Sequence, residues 1–445
     1  MFFGRCRTRR KKSPPDIFGR NLFLFRLRYA KFHRTGAKLL PCFDVEVAVI
    51  RMKKKKLYVS IFLTSALSAS LFSSTRTAES QTSGSQRVIQ SVPGMPPVID
   101  PNNVYSETRP EKLSSVVARH LARVYVPNRS SNDVWVIDPT TDKVVDKFRV
   151  GVHPQHVVPS WDLKTLWVNN NAEGREDGSV TPIDPATGKP GKNIPVDDPY
   201  NMYFTPDGSA AIIVAEARKR LDFRDPQTMA MKYSIETPSC AGINHADFSM
   251  DGRYVFFTCE YAGSLVKIDL VDKKVVAYLK FSKGGMPQDV RISPDGRIFY
   301  VADMKAAGVF LVEGESFKEI GHIKTGLGTH GLYPSRDGTQ LYVANRGVAR
   351  VYGPPKGKGS VSVIDFATRK VITDWVIPGG GSPDMGNVSV DGNTLWLSGR
   401  YDNAVYKIDT TTGQSKSIPV KTEPHGLTVW PQPGRYSLGH TGNLR

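Results

Sequence analysis

Cysteine is scarce in this 445-residue chain: of four, Cys6 and Cys42 precede Met52, leaving Cys240 and Cys259 for everything after it. No C-x-x-C-H segment is present, which excludes the usual covalent haem attachment. The chain also lacks a nucleophile elbow, a phosphate-binding glycine loop and an H-E-x-x-H pair, so the hydrolases, nucleotide binders and zinc proteases defined by those motifs are excluded. Long apolar runs are missing. The longest, LYVSIFLTSALSASLF, has 16 residues and is short for a membrane span. A basic surface for nucleic acid is missing as well. The net charge is +18, but residues 1–51 carry +10 and Lys53–Lys56 four more, leaving +4 for the rest of the chain.

Four lysines after Met52 followed by an apolar run give the order of a secretory signal, so residues 52–78 read as targeting. Residues 1–51 are then a basic leader or a mis-assigned upstream start; an uncleaved membrane anchor is the alternative. The expected location is periplasmic or secreted in a bacterium, with no membrane span in the mature chain. Residues 79–121, rich in Ser, Gln and Pro, read as an extended linker or arm with a helical turn in SSVVARHLAR.

The rest, 122–445, is repetitive. In GMPQDVRISPDGRIFYVAD (285–303), two alternating strands flank Pro294-Asp295-Gly296, a hairpin whose glycine tolerates positive φ. The Asp of that turn recurs at 162, 207, 251, 295, 337 and 391, in steps of 42 to 54 residues. A second anchor, typified by Ile137-Asp138 and Ile268-Asp269, recurs seven times in phase. Four short strands per unit of about 44 residues predict a seven-bladed β-propeller of antiparallel blades. The last copy, HGLTVW, has no strands after it and must pair with residues 123–128, closing the ring and removing free edges. The tail after Trp430 is expected to wrap that closure. RGVARVYGPPKGKG (346–359) is an exposed insertion between a second and a third strand.

A hairpin turn centred between Met250 and Asp251 places Cys240 opposite Cys259, and export would allow a disulfide; the alternative is two buried thiols. In a four-stranded meander, the loop entering the first strand and the loop leaving the second emerge on one face. His156, Asn201, His245, Asp289, His330, Asp384 and His425 enter the first strands, one per blade. Glu216, Glu260 and Asp303 leave the second strands of neighbouring blades, and Arg129, Arg346 and Arg400 those of three others. Four histidines in one ring are candidates for metal ligation, with His156, His245 and His330 as one set, for proton transfer, or for anchoring a cofactor iron. The competing reading is that such residues only tie loops together. The arginines suit an anion, and the acids could serve as general acid or base.

VYVPN, LYVAN and FYVAD, each followed by a V-x-x-I-D type strand and an S-P-D-G hairpin, resemble the YVTN-repeat β-propellers of exported bacterial and archaeal proteins, across residues 123–430. LDFRDPQTMA, MPQDV, HGLYPSRDG, GGGSPDMG and PQPGRYSLGHTG further resemble a YncE-like subgroup. Two relatives extend the resemblance. Nitrite-reductase haem propellers imply a haem-type cofactor at the channel mouth, where His156, His245, His330 and Arg346 lie, although those propellers have eight blades. Lactonase-type propellers imply ring-opening hydrolysis by Glu, Arg and His, for which Glu216, His245 and Arg346 are eligible. The leading expectation is a monomeric propeller that binds a small anionic ligand, cofactor or protein partner on its His-rich face without chemistry of its own. A hydrolase and a cell-surface scaffold follow.

Overall fold

The computed structural model describes residues 87–445 apart from 176 and 352–357, together with the strands Leu22–Arg28 and Asp44–Ile50. The chain divides into two units, 1–84 and 85–445. In the first, the two strands pair antiparallel, with Leu22 opposite Ile50. The targeting segment 52–78 lies outside the described residues. No helix among the described residues is long and apolar enough to cross a membrane.

The second unit carries seven antiparallel sheets, six built from consecutive strands and one from the unit's first three strands and its last. The repeat at 285–303 shows the local logic. Pro287–Ile292 and Ile298–Asp303 form the hairpin, Gly296 takes φ 72°, and Ser293 Oγ donates to Asp295 Oδ1 at 2.5 Å. The same Ser-to-Asp clamp recurs at Ser249–Asp251, Ser335–Asp337 and Ser389–Asp391. Inner strands such as Pro287–Ile292 are buried throughout, whereas the outer strand Lys274–Lys280 alternates exposed and half-buried residues, because only one of its faces meets a neighbour. In the second blade the outer strand is reduced to Lys189–Pro190 and Ile194–Pro195, since proline cannot donate to a ladder. Thr428–Trp430 pairs with Arg123–Asn128, so the ring closes as the repeat implied.

The arm before the first blade lies on the hairpin-turn face, opposite the candidate mouth. Arg87 donates to the Asp295 carbonyl, the Val92 amide to that of Asp251, and the Tyr105 hydroxyl to that of Ile292 at 2.5 Å. The tail departs from expectation. Rather than wrapping the closure, it enters the channel: Tyr203 bridges Gly439, and Leu438, His440 and Leu444 are buried. Gly439 permits the path, because φ 119° suits glycine and a Cβ there would lie 2.6 Å from the Met202 carbonyl oxygen.

Cys240 and Cys259 are joined by a disulfide, but not as ladder partners. Ile243 faces Cys259, and Cys240 belongs to the preceding loop; a register shift between Ile243 and Ala246 moves the pairing off the simple hairpin count. In a chain begun at Ser85, thiol titration after unfolding without reductant is expected to find no free thiol. Cys240→Ser with Cys259→Ser should cost about 3 kcal/mol in urea unfolding. Two titratable thiols would contradict the bond.

Candidate functional site

Pairing fixes the phase of the channel wall. Pro154, Pro199, Ile243, Pro287, Thr329 and Pro383 face Asn170, Ala215, Cys259, Asp303, Asn345 and Gly399, and Pro424 bridges Asn128. Just after these positions all six ladders shift register, and such a bulge turns consecutive side chains toward one side. The residues that follow form an upper layer of Gln155, Tyr200, Asn244, Gln288, His330, Asp384 and His425. One residue further on lies a lower layer of His156, Asn201, His245, Asp289, Gly331, Met385 and Gly426. The expected single ring of histidines is therefore two layers. The bulge turns two consecutive positions inward in every blade, and the offset itself lies in the spacing: His156, Asn201, His245 and Asp289 stand six residues before Asp162, Asp207, Asp251 and Asp295, whereas His330 and Asp384 stand seven before Asp337 and Asp391.

The expected metal set of His156, His245 and His330 divides accordingly. His330 groups with Asp384 and His425, whereas His156 and His245 group with His440 from the tail, and within each group the ligand atoms lie within 4.8 Å of one another. Sequence reasoning missed His440. Its only signal was a histidine inside the subgroup-like tail PQPGRYSLGHTG, and turn chemistry does not say where a tail goes.

Asp384 organises the upper layer. Arg346 Nε donates to Asp384 Oδ1 at 2.8 Å, His330 Nδ1 lies 2.9 Å from the same oxygen, and His425 Nε2 lies 3.4 Å from the other. Burial pushes this carboxyl up, but Arg346, His330 and Arg400 outweigh it and hold it well below the usual carboxylate range. His330 falls to about 4, through burial and the Arg346 charge. Burial keeps His156, His245, His425 and His440 neutral.

Above lies the mouth layer, formed by the residues just past the second strands: Arg129, Glu216, Glu260, Arg346 and Arg400. Arg129 is taken up by Glu423 at 2.9 Å and by Glu173. Arg400 is different. It stands 3.9 Å from Asp384 and 4.0 Å from Glu423 without hydrogen-bonding either, and its Nε, like that of Arg129, is buried with no partner. Burial, then each other's charge and that of Asp198, raises Glu216 well above the usual range; burial also raises Glu260, whose Oε2 accepts from Asn244 Nδ2 at 3.1 Å. Asp303 does not belong here. It is the last residue of its strand, one position before the mouth layer, and its Oδ1 accepts the Ala306 amide at 2.8 Å, a loop-tying role. Asn345 and Asn170 occupy the same position and bond to neighbouring-strand hydroxyls.

The histidines do not fit a haem-type cofactor. His156, His245, His330 and His425 are each at most 1% exposed, so none presents a nitrogen to a planar macrocycle at the mouth.

Comparison with solved structures gives the same fold at low identity. The chain is similar to the periplasmic gluconolactonase PpgL of Pseudomonas aeruginosa (17% identity, TM-score 0.56, covering 69% of this chain and 98% of that one). It is also similar to the dihydro-heme d1 dehydrogenase NirN (15%, 0.52, 72% and 77%) and to Kuenenia stuttgartiensis hydrazine synthase (18%, 0.51, 68% and 93%). No curated protein sequence matches. The model of the YNCE-like beta-propeller family matches residues 86–433, all seven blades, and the chain belongs to that family.

Proposed function

We propose that this is an exported propeller that binds a small anionic ligand at the channel mouth. The observation that carries the reading is Arg400: a buried guanidinium held near two acids at ion-pair distance, with no side-chain hydrogen bond and a bare Nε. A planar carboxylate or phosphate supplies the missing acceptors. Burial raises both Glu216 and Glu260, which weakens their repulsion of such a ligand. Export rests on the targeting signal after Met52 and on the disulfide.

Calorimetric titration with gluconate and with inorganic phosphate tests the reading. At least one should bind, and Arg400→Ala should weaken it about tenfold or more, the effect of losing one charge-assisted hydrogen bond. Equal affinity in the variant would sink the assignment. A second reading, hydrolysis, is favoured by the same raised carboxyls, since a protonated Glu can act as general acid. Turnover of gluconolactone that disappears in Glu260→Gln would put hydrolysis first.

A further inference from the structure

We propose that His156, His245 and His440 form a site for a borderline transition metal such as zinc, with the third ligand delivered by the tail. The proposal is independent of the anion reading. The three imidazoles come from the second blade, the fourth blade and the 3₁₀ turn His440–Gly442, and all are at most 1% exposed. Their ring centroids lie 4.0 Å apart for His156 and His440, 4.8 Å for His245 and His440, and 5.3 Å for His156 and His245.

The donor atoms support a metal rather than a structural role. His245 Nδ1 lies 3.1 Å from the Gln288 carbonyl, which only accepts, so Nδ1 carries the proton and Nε2 is left as a lone pair, buried without a partner. An outer hydrogen bond of this kind fixes the tautomer of ligating histidines. Both ring nitrogens of His156 are likewise buried and unpartnered. Leaving such buried groups unmet carries their desolvation cost with nothing to offset it. Room for the His156 ring comes from Gly426, where a Cβ would lie 1.9 Å from Nδ1.

Chemistry separates this group from the one above. Asp384 already answers Arg346 and stands beside Arg400, so a dication among His330, Asp384 and His425 would face two guanidiniums. Among the described residues no guanidinium is ion-paired to His156 or His245; Arg291, whose charge reaches His245 and His440, is itself paired with Asp289 at 3.3 Å. Three neutral imidazoles suit zinc or copper, at about 2.0–2.1 Å from nitrogen to metal for zinc, and leave a fourth position for water or a small ligand.

The test is elemental analysis of the full chain purified from zinc-supplemented culture. One zinc per chain is expected, falling at least tenfold in His156→Gln and in His440→Gln and retained in His330→Gln. X-ray absorption at the zinc edge of the unsubstituted protein should show three imidazole ligands, a readout that survives if a variant misfolds. A metal-free protein, zinc retained by both lower-layer variants, or loss only in His330→Gln would overturn the proposal.

Discussion

Deleting residues 434–445 is expected to lower the melting temperature by at least about 10 °C, or to leave the chain insoluble. Tyr436, Leu438 and Leu444 are each 1–2% exposed, and burying such a side chain stabilises by roughly 1.5–3 kcal/mol. The deletion also takes from Asp247 its Arg445 counter-charge, leaving, among the described residues, only the Ile292 and Phe248 amides on the carboxylate. Its Oδ1 accepts from Arg445 at 2.8 Å and from Asn443 at 2.9 Å, and a buried carboxylate that loses its partner costs about 3–5 kcal/mol. Together these approach the whole stability of an ordinary domain, about 5–15 kcal/mol. Every blade would remain, so secondary structure by circular dichroism should persist below the transition. Calorimetry showing an unchanged melting point would mean that the tail contributes nothing to the channel.

The propeller was legible because its determinants are local. Asp295 and its copies each sit in a hairpin turn that a few residues specify, and the missing strands after HGLTVW forced the closure with residues 123–128. The candidate site was only partly legible. Glu216, Glu260, Arg346 and Arg400 do face the mouth, since exit from a second strand can be counted along the chain. Asp303 was misplaced by one residue, because its neighbours Ala215 and Cys259 end their strands one position earlier than the acids that follow them. The bulges that turn two consecutive positions inward depend on backbone geometry and leave no compositional mark, whereas the one-residue offset of His330 and Asp384 from the turn aspartates could be counted along the chain. His440 could not be placed at all: its position follows from tertiary packing of a tail against Tyr203 and His156, across more than 200 residues.

Asp384→Asn is expected to destabilise the protein by about 3–5 kcal/mol at neutral pH while changing its shape hardly at all. The carboxylate is fully buried and is the shared counter-charge of Arg346, at 2.7 Å, and Arg400. Breaking a buried pair from one side leaves its partner uncompensated. The sign with pH follows from the depressed carboxyl. Its contribution is complete above the unfolded value of about 3.9 and is lost as pH falls toward the lower folded value. Urea unfolding should therefore give a constant gap between the two proteins from pH 5 to 8, closing below about pH 4. A gap that is absent at pH 7, or unchanged in acid, would show that Asp384 acts by shape alone. Removing both charges discriminates further. Arg346→Met combined with Asp384→Asn should recover part of the loss, because one of the two stranded guanidiniums is gone; purely additive losses would mean that the two side chains are not coupled.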